Sequence, residues 1–184
     1  MKKVIISVIC AAIISPALPT APASAHVGVQ LRGNSIVAGA SSRIYLSLGH
    51  GCVSNNVQYG TRKFSVNVPA AAGKPTPEFH AGFKSEVIAS KEVDVNNTPT
   101  SYTVNWIAKS AAYEIDPYSF YDFGFKVTWD KTPQKINFKT AQTCYIPETS
   151  KKLYLKWIIT DGSSMSATED TEFGPAPSVT TIAG

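Results

Sequence analysis

The sequence is poor in charge, sulfur and histidine. Only 16% of its 184 residues are charged, and it holds three cysteines, three histidines and two methionines. No run rich in lysine or arginine occurs, so we expect neither nucleic acid nor anionic lipid as a partner. No internal repeat is present, and no window carries a helical apolar stripe, which disfavours helical and repeat folds. Beyond the N-terminal segment no apolar run approaches the ~20 residues that span a bilayer.

The N-terminal segment has the three parts of a secretory signal peptide. Lys2 and Lys3 form a basic head, and an apolar run follows from Val4 to Ile14. The segment ends in Ala23-Ser24-Ala25, a small-residue cleavage site. We therefore predict cleavage after Ala25 and export to the periplasm or the exterior, two locations that the sequence does not separate.

Cleavage divides the chain into a signal peptide, residues 1–25, and one domain, residues 26–184, without a membrane anchor. It leaves an even number of cysteines, Cys52 and Cys144. An even count in an exported chain favours a disulfide, whereas the alternative, a thiolate metal pair, suits a reducing compartment. A blue-copper site needs a free thiolate and often an axial methionine. Met165 is the one methionine left, so we do not expect that site.

Apolar residues alternate with polar or small ones along most of the domain, which is typical of strands with one buried face. Turn-forming residues separate these runs, and two further segments, Lys109–Pro117 and Pro147–Lys151, are predicted to be loop insertions. Eight or nine strands in a chain of this length indicate two packed sheets, an all-β sandwich, with a closed barrel as the main rival. The predicted strands contain Val27–Leu31, Ile44–Leu48, Phe64–Val68, Tyr102–Trp106, Phe123–Trp129, Ile136–Phe138, Leu153–Trp157 and Val179–Ile182.

His26 gains its chemistry from cleavage. As the first residue it offers a free α-amine and an imidazole, and the amine nitrogen and Nδ1 together close a six-membered chelate ring around a metal. Nitrogen donors of this kind favour copper, which stands at the top of the divalent affinity order. A carboxylate from the fold would supply a third donor.

Several motifs in order along the chain resemble those of the YcnI-like copper-binding family, formerly a domain of unknown function. The resemblance covers most of residues 26–184. The motifs are Ala25-His26-Val27, Gly49-His50-Gly51-Cys52, Lys74-Pro75-Thr76-Pro77 before Gly82-Phe83, Phe120 to Phe125, Phe138 to Cys144, Trp157 and Pro175-Ala176-Pro177.

The resemblance implies a cupredoxin-like or immunoglobulin-like β-sandwich that binds Cu(II) through a single-histidine brace. By position, His26 would give two nitrogens, Asp122 an oxygen, and Trp157 would pack close to the metal. The chain departs from the family by having Asp at 122 where Glu is usual, and Tyr121 replaces an acidic neighbour. The family's Trp-x-Gly-Gly turn is missing after Trp106, and the interval from Cys144 to Trp157 is longer than usual.

These features predict a Cu(II) chaperone or reservoir that serves a membrane copper transporter or an oxidase assembly factor, and not an enzyme. A copper monooxygenase is one alternative, but its brace needs a second histidine, for which His50 and His80 are the candidates. We expect His50 to hydrogen-bond locally in its glycine-rich turn and His80 to be solvated on the surface. The other alternative is a structural or adhesive sandwich that binds no metal.

Overall fold

A computed structural model describes residues 26–184 and shows a β-sandwich. The predicted signal peptide lies outside the described residues. Within them no helix is long and apolar enough to cross a membrane. The helical elements of residues 26–184 are two single 3₁₀ turns, Ala70–Ala72 and Ala111–Tyr113. The strands are β1 (Gly28–Gln30), β2 (Ser41–Leu48), β3 (Cys52–Ser54), β4 (Val57–Tyr59), β5 (Thr61–Pro69), β6 (Thr76–Pro77), β7 (Phe83–Ala89), β8 (Ser101–Ala108), β9 (Tyr121–Thr128), β10 (Lys135–Asn137), β11 (Lys139–Ile146), β12 (Lys151–Ile159), β13 (Ser166–Ala167), β14 (Thr171–Pro175) and β15 (Ser178–Thr180).

Two open sheets form the sandwich. The smaller has four strands in the order β1-β2-β9-β6, and the larger has seven in the order β13-β14-β12-β11-β5-β8-β7. Two short ribbons, β3-β4 and β10-β15, lie beside them. Because both main sheets keep free edges, the predicted sandwich is confirmed and the closed-barrel alternative is wrong. The count of strands exceeds the prediction mainly through elements of two or three residues, too short to show alternation.

The core lies between the two sheets and is rich in aromatic side chains. Phe123 of β9 stacks on Phe64 of β5, with ring centroids 4.9 Å apart, and lies 5.0 Å from Trp106 of β8. Phe125 meets Phe138 at 5.8 Å. Offset or edge-on rings at such distances pack favourably beyond the area that they bury. The alternating apolar residues that predicted β2, β5, β8 and β9 are therefore the residues that point into the core between the two sheets.

Strand β11 was not predicted, although it lies at the centre of the larger sheet between β12 and β5. Its inward side chains are Thr140, Gln142 and Cys144, each with 1% or less of its surface exposed. Polar side chains at core positions hide the apolar alternation on which strand prediction depends. Gln142 is held by bonds from its Nε2 to Thr61 Oγ1 (2.6 Å) and to the carbonyl oxygen of His50 (2.9 Å).

Cys52 and Cys144 form the predicted disulfide, which joins β3 to β11 across 92 positions of sequence. Both cysteines are buried, with at most 1% of their surface exposed. The bond therefore fixes the β3-β4 ribbon and the preceding glycine-rich turn against the larger sheet. The segment Lys109–Pro117 is a loop, as predicted, and an isolated bridge between Ile115 and Thr61 holds it to β5.

Candidate functional site

Asp122 lies on the outer face of the smaller sheet, near the end where β9 begins. It stands opposite Ser47 of β2, and Ser47 stands opposite Gly28 of β1. Directly opposed residues in a sheet share a face, so these three positions form one row. The side chain of Asp122 is 14% exposed, and its Oδ2 accepts a hydrogen bond from the Arg32 guanidinium. Its Oδ1 is buried and has no hydrogen-bond partner.

Arg32 belongs to the turn after β1 and has a left-handed backbone, with φ of 48°. Its guanidinium lies over the ring of Tyr45, 3.8 Å from the centroid, and so bridges from that ring to Asp122. The hydrogen bond to Asp122 is the main cause that raises the pKa of Arg32. The arginine is therefore a fixed positive charge that holds one oxygen of Asp122 and leaves the other unpaired.

Gly124 lies in the next row of the same face, opposite Tyr45, and its lack of a side chain leaves room for Tyr45 and Glu78. A Cβ at this position would lie 2.1 Å from Glu78 Oε2 and 2.7 Å from the Tyr45 ring. The backbone nitrogen of Glu78 donates to the carbonyl oxygen of Gly124 at 2.8 Å, extending the pairing of β6 with β9. A glycine at this point therefore allows Glu78 and Tyr45 to close over β9 beside Asp122.

His26 stands two positions before the first residue of β1 and is exposed. Val27 is buried in the core with 5% of its surface exposed, so alternation turns His26 toward the outer face that carries Asp122. Strands in a sheet are about 4.8 Å apart, which places Gly28 roughly 10 Å from Asp122 across β2. His26 lies farther along, level with the turn that starts at Gly49 if the β1-β2 register continues. The structure therefore puts His26 and Asp122 on one face but not in direct contact.

Trp157 lies on the inner face of the larger sheet, with 4% of its surface exposed. It packs against Gly174, where a Cβ would stand 3.0 Å from the indole ring. The smaller sheet therefore separates Trp157 from the face that carries Asp122. A different tryptophan, Trp106, lies on the core side of β9 and contacts Phe123, the residue after Asp122. Its Nε1 donates to the Glu78 carbonyl oxygen at 3.5 Å.

His80 is half-buried and packed, so the prediction of a solvated surface histidine was wrong. Its Nδ1 hydrogen-bonds with the Tyr121 hydroxyl at 2.8 Å, and its ring lies edge-on to Phe123 at 5.6 Å. Burial lowers the pKa of His80, with Glu78 acting weakly in the opposite direction. Burial, with a smaller effect of Glu78, raises the pKa of Tyr121. Both groups are therefore held in their neutral forms.

We expect the pair to make stability depend on pH in mildly acid solution. The folded chain protonates His80 less readily than the unfolded chain does. The contribution of neutral His80 to the free energy of unfolding is therefore fully present above about pH 6.5, the usual pKa of histidine. It is lost as pH falls through the lowered pKa of His80 in the folded chain. Because the ring is partly exposed, we expect less than about 1 kcal/mol. Chemical denaturation between neutral and acid pH should show this slope in the native protein and in Tyr121→Phe, but a flatter one in His80→Asn. An unchanged slope in His80→Asn would contradict the assignment.

His50 hydrogen-bonds locally, as expected from its glycine-rich turn. Its Nδ1 donates to the carbonyl oxygen of Gly51 at 2.6 Å, while its own carbonyl oxygen accepts from Gln142. Gly51 is buried, and a Cβ there would meet the carbonyl oxygen of Tyr59 at 2.1 Å. The turn that faces the end of β1 is thus rigidly held by the disulfide region.

Sequence reasoning missed Arg32, Tyr45 and Glu78, which surround Asp122. Neither a motif nor a spacing marks them, because they come together only through the pairing of β2, β9 and β6. Within residues 26–184, no group of three or more His, Cys, Asp or Glu side chains is clustered so as to hold a metal.

The fold and the core define an immunoglobulin-like β-sandwich. A protein from Nocardia farcinica, described as uncharacterized with an immunoglobulin-like fold, is similar in structure, with a TM-score of 0.57 and 17% identity over 85% of this chain and 97% of its own. The profile of the DUF1775 family, described as a domain of unknown function, matches residues 26–181. The chain belongs to this family, the YcnI-like family that the motifs predicted.

Other comparisons add nothing on function. AvmM, which catalyzes macrocyclization in alchivemycin A biosynthesis, aligns over 82% of this chain and 83% of its own at 7% identity. Its TM-score is 0.29, which is too low to indicate a shared fold. A comparison with curated proteins finds no match.

Proposed function

We propose that the protein is exported, begins at His26 and binds one Cu(II) ion as a chaperone or reservoir. The match to the DUF1775 family begins at the same residue, which supports a domain starting there. His26 would hold copper through its amine and Nδ1, and Asp122 through one oxygen. In this role the ion is cargo, passed to a membrane transporter or an oxidase assembly factor.

The observation that carries the proposal is the unpaired oxygen of Asp122. Its Oδ1 is buried without a hydrogen-bond partner, while Arg32 occupies the other oxygen. A buried anionic oxygen without a partner is costly, so a bound cation would relieve that cost. Oxygen and nitrogen donors together suit Cu(II). The carboxylate does not need to release Arg32 in order to offer this oxygen.

A shared ion requires His26 to turn inward across β2 from the end of β1. His26 lies two positions along the chain from the row of Gly28, Ser47 and Asp122. Ser47 carries a small side chain and Gly28 none, and the Gln30 side chain comes within 3.9 Å of where a Gly28 Cβ would stand. Val27 stays anchored in the core, so the movement falls on residue 26 alone. The small residues Gly28 and Ser47 support such a turn.

Copper uptake by correctly processed protein tests the proposal. Protein whose first residue is verified as His26 by mass spectrometry should bind one equivalent of Cu(II), measured by competition with a chromophoric chelator. Electron paramagnetic resonance should show nitrogen donors, consistent with an amine and an imidazole. Failure to compete for copper would leave a metal-free sandwich, the structural or adhesive alternative.

We expect Asp122→Ala to weaken Cu(II) binding by about 10-fold, less than His26→Ala, because it removes one donor of three. Asp130→Ala, beyond the other end of β9, is a matched control that removes a carboxylate remote from the site. Its affinity should equal that of the native protein. A larger loss for Asp122→Ala than for His26→Ala would overturn the donor assignment.

A further inference from the structure

The outer face of the seven-stranded sheet carries most of its charge as lysine. Alternation turns Phe64, Val66 and Val68 of β5 inward and leaves the intervening residues outward, and the same holds for the neighbouring strands. The cross-strand register then places Lys84, Ile107 and Lys63 in one row. The outward lysines of this face are Lys63 on β5, Lys84 on β7, Lys139 on β11, and Lys152 and Lys156 on β12.

Few carboxylates oppose these lysines. Among the residues described, Glu86 of β7 is the carboxylate in the rows of this face, and its Oε1 accepts from Asn105 Nδ2 at 3.1 Å. At the edge of this face, Glu114 forms an ion pair with Arg62. Glu172 of β14 is exposed but stands opposite Leu155, whose side chain points into the core. Glu169 lies on a turn beyond the strand ends, where Lys151 approaches it at 3.6 Å. Most of the positive charge of this face is therefore not neutralised by carboxylates of the same face and is available to an anionic partner.

Aromatic rings and exposed aliphatic side chains lie among these lysines. Lys156 Nζ lies 5.3 Å from the Tyr154 ring centroid and 5.6 Å from that of Phe173, and Lys152 Nζ lies 5.8 Å from that of Tyr145. Ile88 and Ile158, exposed to 52% and 38%, belong to the same face. Lysines with aliphatic stems and amphipathic rings are the residues enriched where proteins meet lipid headgroups.

We propose that this face docks on a bilayer surface rich in anionic phospholipid. Its charge is complementary to such a surface, and its layout is two-dimensional. Neighbouring strands are about 4.8 Å apart, so Lys84 and Lys156 lie roughly 19 Å apart across the sheet. Lys152 and Lys156 lie about 13 Å apart along β12. A spread in both directions fits a plane of headgroups, whereas a linear polymer would need a groove that aligns the cations.

The sequence hides this surface because its lysines come from four strands and never form a run. The expectation that anionic lipid is not a partner was based on the absence of such a run. The proposal is independent of copper, since the face belongs to the larger sheet and the His26 face belongs to the smaller one. Docking by this face would leave His26 and Asp122 turned away from the membrane.

Vesicle flotation tests the proposal with the processed protein. The vesicles are equal parts phosphatidylglycerol and phosphatidylcholine, with pure phosphatidylcholine as the neutral comparison. We expect binding to the anionic vesicles alone and its loss at high salt, which screens exposed charges. The triple variant Lys63→Gln, Lys152→Gln, Lys156→Gln should bind roughly 100-fold more weakly, about five-fold for each lysine. Circular dichroism and thermal unfolding confirm that the variants fold.

The matched control is Lys74→Gln, Lys91→Gln, Lys131→Gln, which changes the net charge equally with lysines of loops outside the face. It should keep vesicle binding within about three-fold of the native value, since a general charge effect is small. Equal losses in the two triple variants would overturn the proposal, as would equal binding to neutral vesicles or no binding. Tighter capture by soluble dextran sulfate than by the anionic vesicles would overturn it in favour of a polymer partner.

Discussion

Acetylation of the His26 α-amine should weaken Cu(II) binding by more than about 100-fold. The acetyl group converts the amine into an amide and supplies no new amine, and so removes one nitrogen donor of the chelate ring while leaving the imidazole in place. Loss of a partner outside the ligand set already costs 10–100-fold in metal affinity, and here a direct donor is lost. Native and N-terminally acetylated proteins, each verified by mass spectrometry, would be compared by chelator competition.

The control for this experiment is His26→Ala, which keeps a free amine and removes the imidazole. It separates the contribution of the ring from that of the main chain. Both changes should leave thermal stability unaltered, because His26 is exposed and lies before the first strand. Affinity should fall as pH is lowered in the native protein, because protons compete for both nitrogens. Equal affinity of acetylated and native proteins would refute the brace.

Removal of the disulfide should lower the free energy of unfolding by about 4–5 kcal/mol. The bond closes a loop of 92 positions, and the chain-entropy account assigns nearly this value to a loop of ~100 residues. For a domain of this size the change corresponds to a Tm lower by roughly 10–20 °C. Thermal unfolding of the Cys52→Ala, Cys144→Ala variant, followed by circular dichroism, measures the effect.

Chemical reduction of the native protein is the matched control for the disulfide variant. If the lost stability comes from loop closure, reduced native protein and the double variant should unfold at similar temperatures. The variant should still bind copper once folded, because neither cysteine contributes to the His26 and Asp122 row. A Tm within a few degrees of the native value would contradict the prediction.

Alternation along single strands was enough to predict the class of fold. Strands β2, β5, β8, β9 and β12 bury apolar residues at every second position, and the sequence records this directly. The prediction fails at β11 because Gln142 and Thr140 occupy core positions through hydrogen bonding and tight packing. The disulfide was predictable because the predicted cleavage leaves only two cysteines.

The surroundings of the candidate site depend on register, which a single sequence does not specify. Asp122 and Tyr45 are remote in sequence and are brought to one face by the pairing of β2 with β9. Arg32 reaches Asp122 from a turn with no distinguishing pattern. A half-buried position for His80 depends on the contact of the β6-β7 loop with Tyr121 and Phe123. Contacts of this kind lie beyond what periodicity and turn signals encode.

The burial of Val27 sets an order of events during export. A signal peptidase must hold several residues on both sides of the bond that it cuts in an extended form. Residue 27, two positions after the proposed cut, is packed in the core. If the chain is cut after Ala25 as proposed, the signal peptide must be removed before β1 pairs with β2. A chain that folds ahead of its peptidase would keep its leader and would have no terminal amine to offer a metal.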